Sequence, residues 1–213
     1  MTQSDHQKKA PGRPRLNNEV AKGELLRSAS KLFSTKGFEE TSLREIAMDA
    51  NVNMALIKYH YGSKLDLWKA VILKLSEEVL EINDFDLDVV QEPSDMRKLL
   101  GELFDRMVDM TFEHREFSLF VMNESIQKGE RFDHLFEQLI RPFHEQSYPF
   151  ILKGIEMGVL ADQDPEELIV MLLSSVSYQQ AAPHIIGNFT SITQDAKQWK
   201  EVIKHSLRAN FIK

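Results

Sequence analysis

A stretch of 24 residues at positions 41–64, TSLREIAMDANVNMALIKYHYGSK, constrains the fold more than any other part of the chain. Ser42 followed three residues later by Glu45 is the pattern of a capping box, in which side chains and backbone amides begin a helix together. Asn53 is a suitable N-cap for a second short helix that runs to about His60. Two short helices joined by a tight turn are typical of a helix-turn-helix, which presents its second helix to the major groove of DNA.

Helical spacing of apolar residues extends through most of the chain. From Leu25 to Phe33 they recur three and four positions apart, which predicts an amphipathic helix that Gly37 ends. Ser63 begins a longer helix whose apolar stripe recurs every four residues. Further helices are predicted at about 95–113, 116–127, 132–157, 165–182 and 194–212. Because no strand-like alternation is present, the predicted fold class is all-α, with an N-terminal helix-turn-helix domain joined by a long helix to a larger helical body.

Composition narrows the classes of function. The chain has 213 residues, no cysteine and a net charge of −7, which excludes disulfides and cysteine-ligated zinc and favours a cytoplasmic location. It begins without the apolar stretch of a signal peptide and contains no apolar run long enough to cross a membrane, so we expect no membrane partner. Residues 1–80 hold 13 Lys+Arg and 10 Asp+Glu, whereas residues 81–213 hold 13 and 23. This separation of charge is consistent with an N-terminal module that binds the phosphates of a nucleic acid and an acidic body that does not.

The helix-turn-helix pattern predicts which side chains face DNA. Ile57 and Tyr61 are placed to anchor the second helix, which leaves its N-terminal side chains exposed. Asparagine and lysine can hydrogen-bond base edges, and small or apolar side chains can contact a thymine methyl group. The candidates exposed on this helix are Asn53, Met54, Ala55, Lys58 and Tyr59. The candidates for phosphate contact are Thr41, Ser42, Arg44, Tyr59, His60 and Lys64.

Residues 25–79 resemble the DNA-binding domain of the TetR family of transcriptional regulators. The matching segments are LLRSASKLFSTKGF, TSLREIA and ANVNMALIKYHYGSKLDLWKAV. Lys58 stands where the family most often has an aromatic residue, and Ala55 stands where glycine is common. The resemblance implies phosphate contacts for Tyr59, His60 and Lys64.

The resemblance also implies a domain organisation and a mode of action. The last two predicted helices, at about 165–182 and 194–212, would form a four-helix bundle with those of a second subunit, giving a homodimer and a pseudo-palindromic double-stranded operator. We expect a flexible basic arm at 1–18, a DNA-binding domain at 19–82 with its helix-turn-helix at about 42–61, and a helical ligand-binding and dimerisation domain at 83–213. The implied function is that of a repressor released from its operator when an unknown small-molecule effector binds and swings the long connecting helix.

The N-terminal arm contains a Gly-Arg-Pro core flanked by basic residues, including Arg13 and Arg15. This core resembles that of an AT-hook, which lays arginines in a narrow A·T minor groove. The alternative interpretation is a disordered, solubilising tail.

The body contains candidates for the lining of an effector cavity. Methionine and aromatic side chains form adaptable apolar walls, and polar side chains among them would orient a ligand. The candidate wall residues are Phe104, Met107, Phe120, Met157 and Met171, and the candidate polar residues are Asn123, Glu124, Arg141, His144, Tyr148 and Gln179. Arg141 would suit a carboxylate, although an ion pair with Glu124 or Glu145 explains it equally well. Ordinary core packing remains the alternative for the apolar candidates.

The sequence shows no pattern of an enzyme or a metal site. None of the seven histidines forms an H-E-x-x-H pattern, and neither a glycine-rich phosphate loop nor a G-x-S-x-G elbow is present. We therefore predict no catalytic residue, metal ligand or cofactor, and we expect the chain not to be an enzyme. The alternatives left open are a regulator controlled by a protein partner, an activator in place of a repressor, and a helical enzyme.

Overall fold

The computed structural model describes residues 18–126 and 128–213, so Arg13 and Arg15 lie outside the described residues. Within those ranges every regular element is helical, which confirms the all-α fold class. The N-terminal domain comprises α1 (Asn18–Glu40), α2 (Leu43–Asp49), α3 (Met54–Tyr61) and the start of α4 (Lys64–Leu80). The body comprises α5 (Pro93–Glu113), α6 (Arg115–Ser125), α7 (Glu130–Leu135), a π-helical turn at Phe136–Ile140, α8 (Arg141–Glu156), α9 (Pro165–Ala181), α10 (Pro183–Gly187) and α11 (Ala196–Phe211). Short 3₁₀ turns lie at Glu81–Asn83, Leu87–Val89 and Ser191–Gln194.

The predicted helix boundaries in the N-terminal domain are confirmed by their caps. The Ser42 hydroxyl accepts a hydrogen bond from the Glu45 amide, and the Glu45 carboxylate accepts one from the Ser42 amide, so the capping box is complete. The Asn53 and Ser63 side chains cap α3 and α4 in the same position. Gly37 interrupts α1 with a φ of 80°, a conformation that glycine adopts without the steric cost of a Cβ atom.

One apolar core runs from the N-terminal domain into the body along α4. Leu67, Val71 and Leu75 of this helix are buried at four-residue spacing, as predicted. Trp68 is fully buried, and its ring lies 6.4 Å from the Phe38 ring of α1 and 5.9 Å from the Phe120 ring of α6. A displacement of α4 therefore disturbs packing in both parts of the molecule.

The predicted single helix at 132–157 is divided into α7, the π-helical turn and α8. Pro142 has no amide hydrogen, so it cannot donate to the carbonyl of Gln138, four residues earlier. The Ser76 hydroxyl of α4 donates to that carbonyl at 2.6 Å instead. This contact fixes the π-helical turn against α4. The prediction also missed the short helix α10.

Candidate nucleic-acid interface and body cavity

The second helix of the predicted helix-turn-helix, α3, is held by the anchors that the sequence indicated. Ile57 is fully buried, and the Tyr61 hydroxyl donates to the Lys22 carbonyl of α1 at 3.2 Å. Burial, with a smaller contribution from Glu19, raises the pKa of Tyr61 to about 12, so this hydroxyl stays protonated and remains a donor. The turn before α3 contains Asn51 with a φ of 58°, a left-handed conformation that asparagine tolerates better than most residues.

The face of α3 opposite these anchors is open to solvent. Met54 is 53% exposed and Tyr59 is 75% exposed, although both are large side chains. The Asn53 side-chain oxygen accepts a hydrogen bond from the Ala55 amide at 2.8 Å. The side-chain NH₂ group of Asn53 remains available as a donor. Lys58 is exposed and has no ion pair among the described residues. All five residues predicted to be exposed on this helix, Asn53, Met54, Ala55, Lys58 and Tyr59, are exposed.

The predicted phosphate contacts have more varied surroundings. Ser42 and Arg44 are exposed near the start of α2. His60 is half-buried between Tyr59 and Tyr61, with ring centroids 4.9 and 6.2 Å away, and its Nε2 atom has no partner among the described residues. The Lys64 ammonium group donates to a backbone carbonyl at 3.3 Å, and it lies close to the surface at the start of α4.

Thr41 is a correction to the predicted phosphate contacts. Its side chain is buried, with 1% exposure, and its hydroxyl donates to the Gly37 carbonyl at 2.8 Å, with the Leu32 carbonyl also within reach at 3.1 Å. Both carbonyls lie near the break of α1 at Gly37. Thr41 therefore stabilises the end of α1 and does not face solvent.

Some of the described lysine and arginine side chains near α2 and α3 form ion pairs with carboxylates of the same domain, and others do not. Lys36 forms an ion pair with Glu45 at 2.8 Å, and this contact is the main reason that the pKa of Glu45 falls to about 2. Lys31 pairs with Asp49 at 2.8 Å and is the main cause of a lowered pKa for that carboxyl group. Arg44 has no carboxylate partner within the described ranges and, like Lys58, is available to an anion such as phosphate.

Arg131 of α7 joins the body to the N-terminal domain. Its guanidinium group donates to the buried Glu124 carboxylate at 3.0 Å and to Glu39 of α1 at 2.9 Å, and it lies 4.4 Å from the Phe38 ring centroid. Burial lowers the pKa of Arg131, but the hydrogen bonds with Glu124 and Glu39 outweigh burial and raise it. We call these four residues the Arg131 clasp. Beside it, the Asn123 amide donates to the Ser34 carbonyl at 2.8 Å.

The body contains an apolar cavity of about 170 Å³, which we call the body cavity. It lies among α4, α5, α6, the π-helical turn, α8 and α9. Its walls consist of Val79, Ile82, Met107, Met110, Thr111, Phe117, Val121, Leu139, Ile140, Phe143, His144, Ile169, Val170, Leu173, Val176 and Ser177. Of the predicted ligand residues, Met107 and His144 line it, and the His144 ring pairs through Nε2 with the Glu166 carboxylate.

The other predicted ligand residues do not line the body cavity. Asn123 and Glu124 belong to the contact between body and N-terminal domain. Arg141 is exposed, and its guanidinium group donates twice to the Glu137 carboxylate. Its partner is therefore Glu137, and not Glu124 or Glu145 as the alternative interpretation proposed. Elsewhere, Phe104 packs on Phe211, Phe120 packs on Trp68, Tyr148 packs beside His144, Met157 caps the end of α8, Met171 is 44% exposed, and Gln179 donates to the Ser175 carbonyl.

Sequence reasoning missed most of the cavity lining because its apolar residues have the same helical spacing as core residues. Phe143 and Val176, for example, are buried at ordinary core positions. Within the described residues, no group of three or more His, Cys, Asp or Glu is arranged to hold a metal ion. In the same part of the chain, no helix is long and apolar enough to span a membrane.

Comparison with known proteins shows which regulators the chain is similar to. Residues 25–71 match the family model described as bacterial regulatory proteins, tetR family. The chain is 32% identical to YttP of Bacillus subtilis over 103 residues, which span 48% of this chain and about half (49%) of YttP. The N-terminal part of the chain is therefore similar to the DNA-binding domain of the TetR family. It is also 24% identical to the HTH-type transcriptional repressor NicS of Pseudomonas putida over 181 residues, which cover 83% of each protein.

The fold of this chain is shared over most of its length with a solved structure. HlyIIR, a hemolysin II transcriptional regulator, superposes with a TM-score of 0.63 at 22% sequence identity. The superposition covers 89% of this chain and 98% of HlyIIR. The body is therefore of the same helical type, although its sequence has diverged.

Proposed function

We propose that this protein is a TetR-type, sequence-specific DNA-binding transcriptional repressor, and that a small-molecule effector lowers its affinity for its operator. The observation that carries the proposal is the anchored helix α3, which exposes Asn53, Met54, Ala55, Lys58 and Tyr59 on one face while Ile57 is buried on the other. Tyr59, which is 75% exposed, and Lys58, which has no ion pair among the described residues, lie on this open face and are accessible to a DNA duplex. NicS, which aligns along most of the chain, is named as a repressor.

The proposed contacts with DNA divide into two groups. Asn53, Met54, Ala55 and Lys58 would contact base edges, because they lie in the first turns of α3. Ser42, Arg44, Tyr59, His60 and Lys64 would contact phosphate, which fixes the position of α3 but does not read sequence. Arg13 and Arg15 would enter the neighbouring minor groove.

We propose a homodimer formed through the outer faces of α9 and α11. Met171 and Tyr178 of α9 are 44% and 50% exposed, and Val202 of α11 is 43% exposed. The opposite faces of both helices are buried in the body, so these apolar side chains form an outward surface that a second copy can cover. Two copies related by two-fold symmetry would present two α3 helices about 34–36 Å apart, one turn of DNA.

The effector would act through α4. Val79 and Ile82, at the C-terminal end of this helix and just after it, line the body cavity, whereas Lys64 lies at its N-terminal end beside α3. A ligand that binds better to a body with α4 displaced would shift the population toward dimers whose α3 helices are out of register with DNA.

Selection from a library of random duplexes tests the proposal. We expect the full-length protein to enrich a pseudo-palindrome with half-sites about 10 base pairs apart, bound with an affinity that falls steeply with salt. A variant carrying Asn53→Ala and Lys58→Ala should enrich no site, whereas the matched exposed change Met48→Ala on α2 should leave selection intact. Failure of the unaltered protein to enrich any sequence contradicts the proposal.

A further inference from the structure

The body cavity is lined almost entirely by uncharged side chains. Among its lining side chains only His144 can carry a charge, and its imidazole is already paired with the Glu166 carboxylate. Arg141, which follows Ile140 of the cavity wall, is exposed and donates to both carboxylate oxygens of Glu137. The cavity therefore offers an anionic ligand no free counter-charge, and burial of an unpaired carboxylate is strongly unfavourable.

The polar groups on the wall suit a neutral ligand. The Thr111 hydroxyl donates to the Val108 carbonyl at 2.9 Å, so its oxygen remains an acceptor. The Ser177 hydroxyl has no hydrogen-bond partner among the described residues. These two hydroxyl groups can satisfy one polar group of a ligand, but they do not neutralise an ionic charge.

The size and wall chemistry limit the ligand further. The volume of about 170 Å³ is close to the roughly 150 Å³ of an engineered protein cavity, lined by apolar side chains, that binds benzene. Met107, Met110, Phe117 and Phe143 all line this space. Methionine side chains adapt their shape to flat rings and make favourable sulfur–aromatic contacts.

We propose that the body cavity binds an uncharged single-ring aromatic, or an equally compact apolar molecule, that carries no polar group stronger than a hydroxyl. This inference names the effector class for the proposed function and rests on it, but the binding step itself is measurable without DNA. An acid of the same shape is excluded by the absence of a free cation on the wall.

Calorimetric titration of the full-length protein with p-cresol and with p-toluate tests the inference. The two molecules share a methylated ring and differ in a hydroxyl group against a carboxylate, and p-cresol is neutral at pH 7. We expect saturable p-cresol binding, with a dissociation constant at least about tenfold lower than that of p-toluate. The inference is overturned by p-toluate binding of equal or greater strength, or by p-cresol that shows no saturable binding up to about 1 mM.

Two matched variants locate the binding. Leu173→Phe narrows the cavity and should weaken p-cresol binding at least about tenfold, whereas Leu73→Phe, at a position on α4 that is 54% exposed and outside the cavity, should not change it. Val121→Leu, at another lining position, replaces Leu173→Phe if circular dichroism shows that the latter is unfolded. Equal p-cresol binding by the cavity variant and Leu73→Phe places the ligand elsewhere and overturns the inference. Loss of DNA selection with p-cresol binding intact removes only the proposed function.

Discussion

Thr41 and Ser42 are neighbours in sequence but have opposite surroundings. The Ser42 hydroxyl is exposed at the start of α2, whereas the Thr41 hydroxyl is buried under the end of α1. The sequence predicted the capping residue because its partner Glu45 lies three positions away. It did not predict the surroundings of Thr41, because its acceptor at Leu32 depends on the path of the chain after Gly37.

Thr41→Val should therefore lower the free energy of unfolding without changing the number of phosphate contacts. We expect a loss of about 1–3 kcal/mol, because buried carbonyl groups lose their donor. Thr41→Ser, which keeps the hydroxyl, should lose clearly less. Urea unfolding measures both variants.

Arg44→Ala should have the opposite effect. This exposed side chain has no carboxylate partner in the described ranges, so its removal should leave urea unfolding unchanged. The slope of log binding constant against log salt should decrease by about 1 for each protomer. An unchanged slope would show that Arg44 does not contact phosphate.

Glu45 makes the stability of α2 depend on pH. Its pKa falls from 4.5 to about 2 in the folded protein, chiefly because of Lys36 and then the Ser42 amide. The depressed pKa stabilises the fold above about pH 4.5, and this stabilisation is lost as pH falls through about 2. The melting temperature of Glu45→Gln should lie below that of the unaltered protein near neutral pH, and the difference should shrink on acidification. Glu40→Gln, an exposed carboxylate without an ion pair in the described part of the chain, should show no such trend.

At the scale of helices, local signals predicted the N-terminal domain better than the body. Caps at Ser42, Asn53 and Ser63 depend on residues two or three positions away, and all three are confirmed. The π-helical turn depends on Ser76, which donates across 62 positions to the Gln138 carbonyl. Contacts of this kind follow from tertiary packing, and no periodicity in the sequence indicates them.

The Arg131 clasp gives a testable consequence for the contact between α7 and α1. Arg131→Met should lower the free energy of unfolding by about 3–5 kcal/mol, because it leaves the Glu124 carboxylate, which is 6% exposed, without a counter-charge. The double variant Arg131→Met with Glu124→Leu should recover most of the loss. Arg141→Met removes an exposed ion pair on α8 and should leave urea unfolding unchanged. A single variant within about 1 kcal/mol of the unaltered protein would contradict the pairing.

At the scale of the whole molecule, fold class and charge separation were both readable from the sequence. The acidic body and basic N-terminal part follow from counting, and the all-α class follows from spacing. The body cavity was readable only in part, since Met107 and His144 were predicted but the surrounding wall was not. A cavity is a gap between helices, and its lining depends on their relative positions more than on residue type.

If α9 and α11 form the dimer interface, negative charges introduced on their exposed faces should separate the two protomers. Val202→Glu with Met171→Glu should convert the protein from dimer to monomer in light-scattering chromatography, because two carboxylates would be buried against their symmetry mates. Leu73→Glu, on the exposed side of α4, should remain dimeric. A double variant that stays dimeric would show that another surface joins the protomers.

The central claim is that α3 reads base edges in the major groove. The most direct test compares the duplex sequences selected by the unaltered protein with those selected by Lys58→Ala. The account predicts that the variant still binds DNA but loses its preference at one position in each half-site, with a loss of about 1–3 kcal/mol on the original site. An identical selected sequence bound with identical affinity would contradict it.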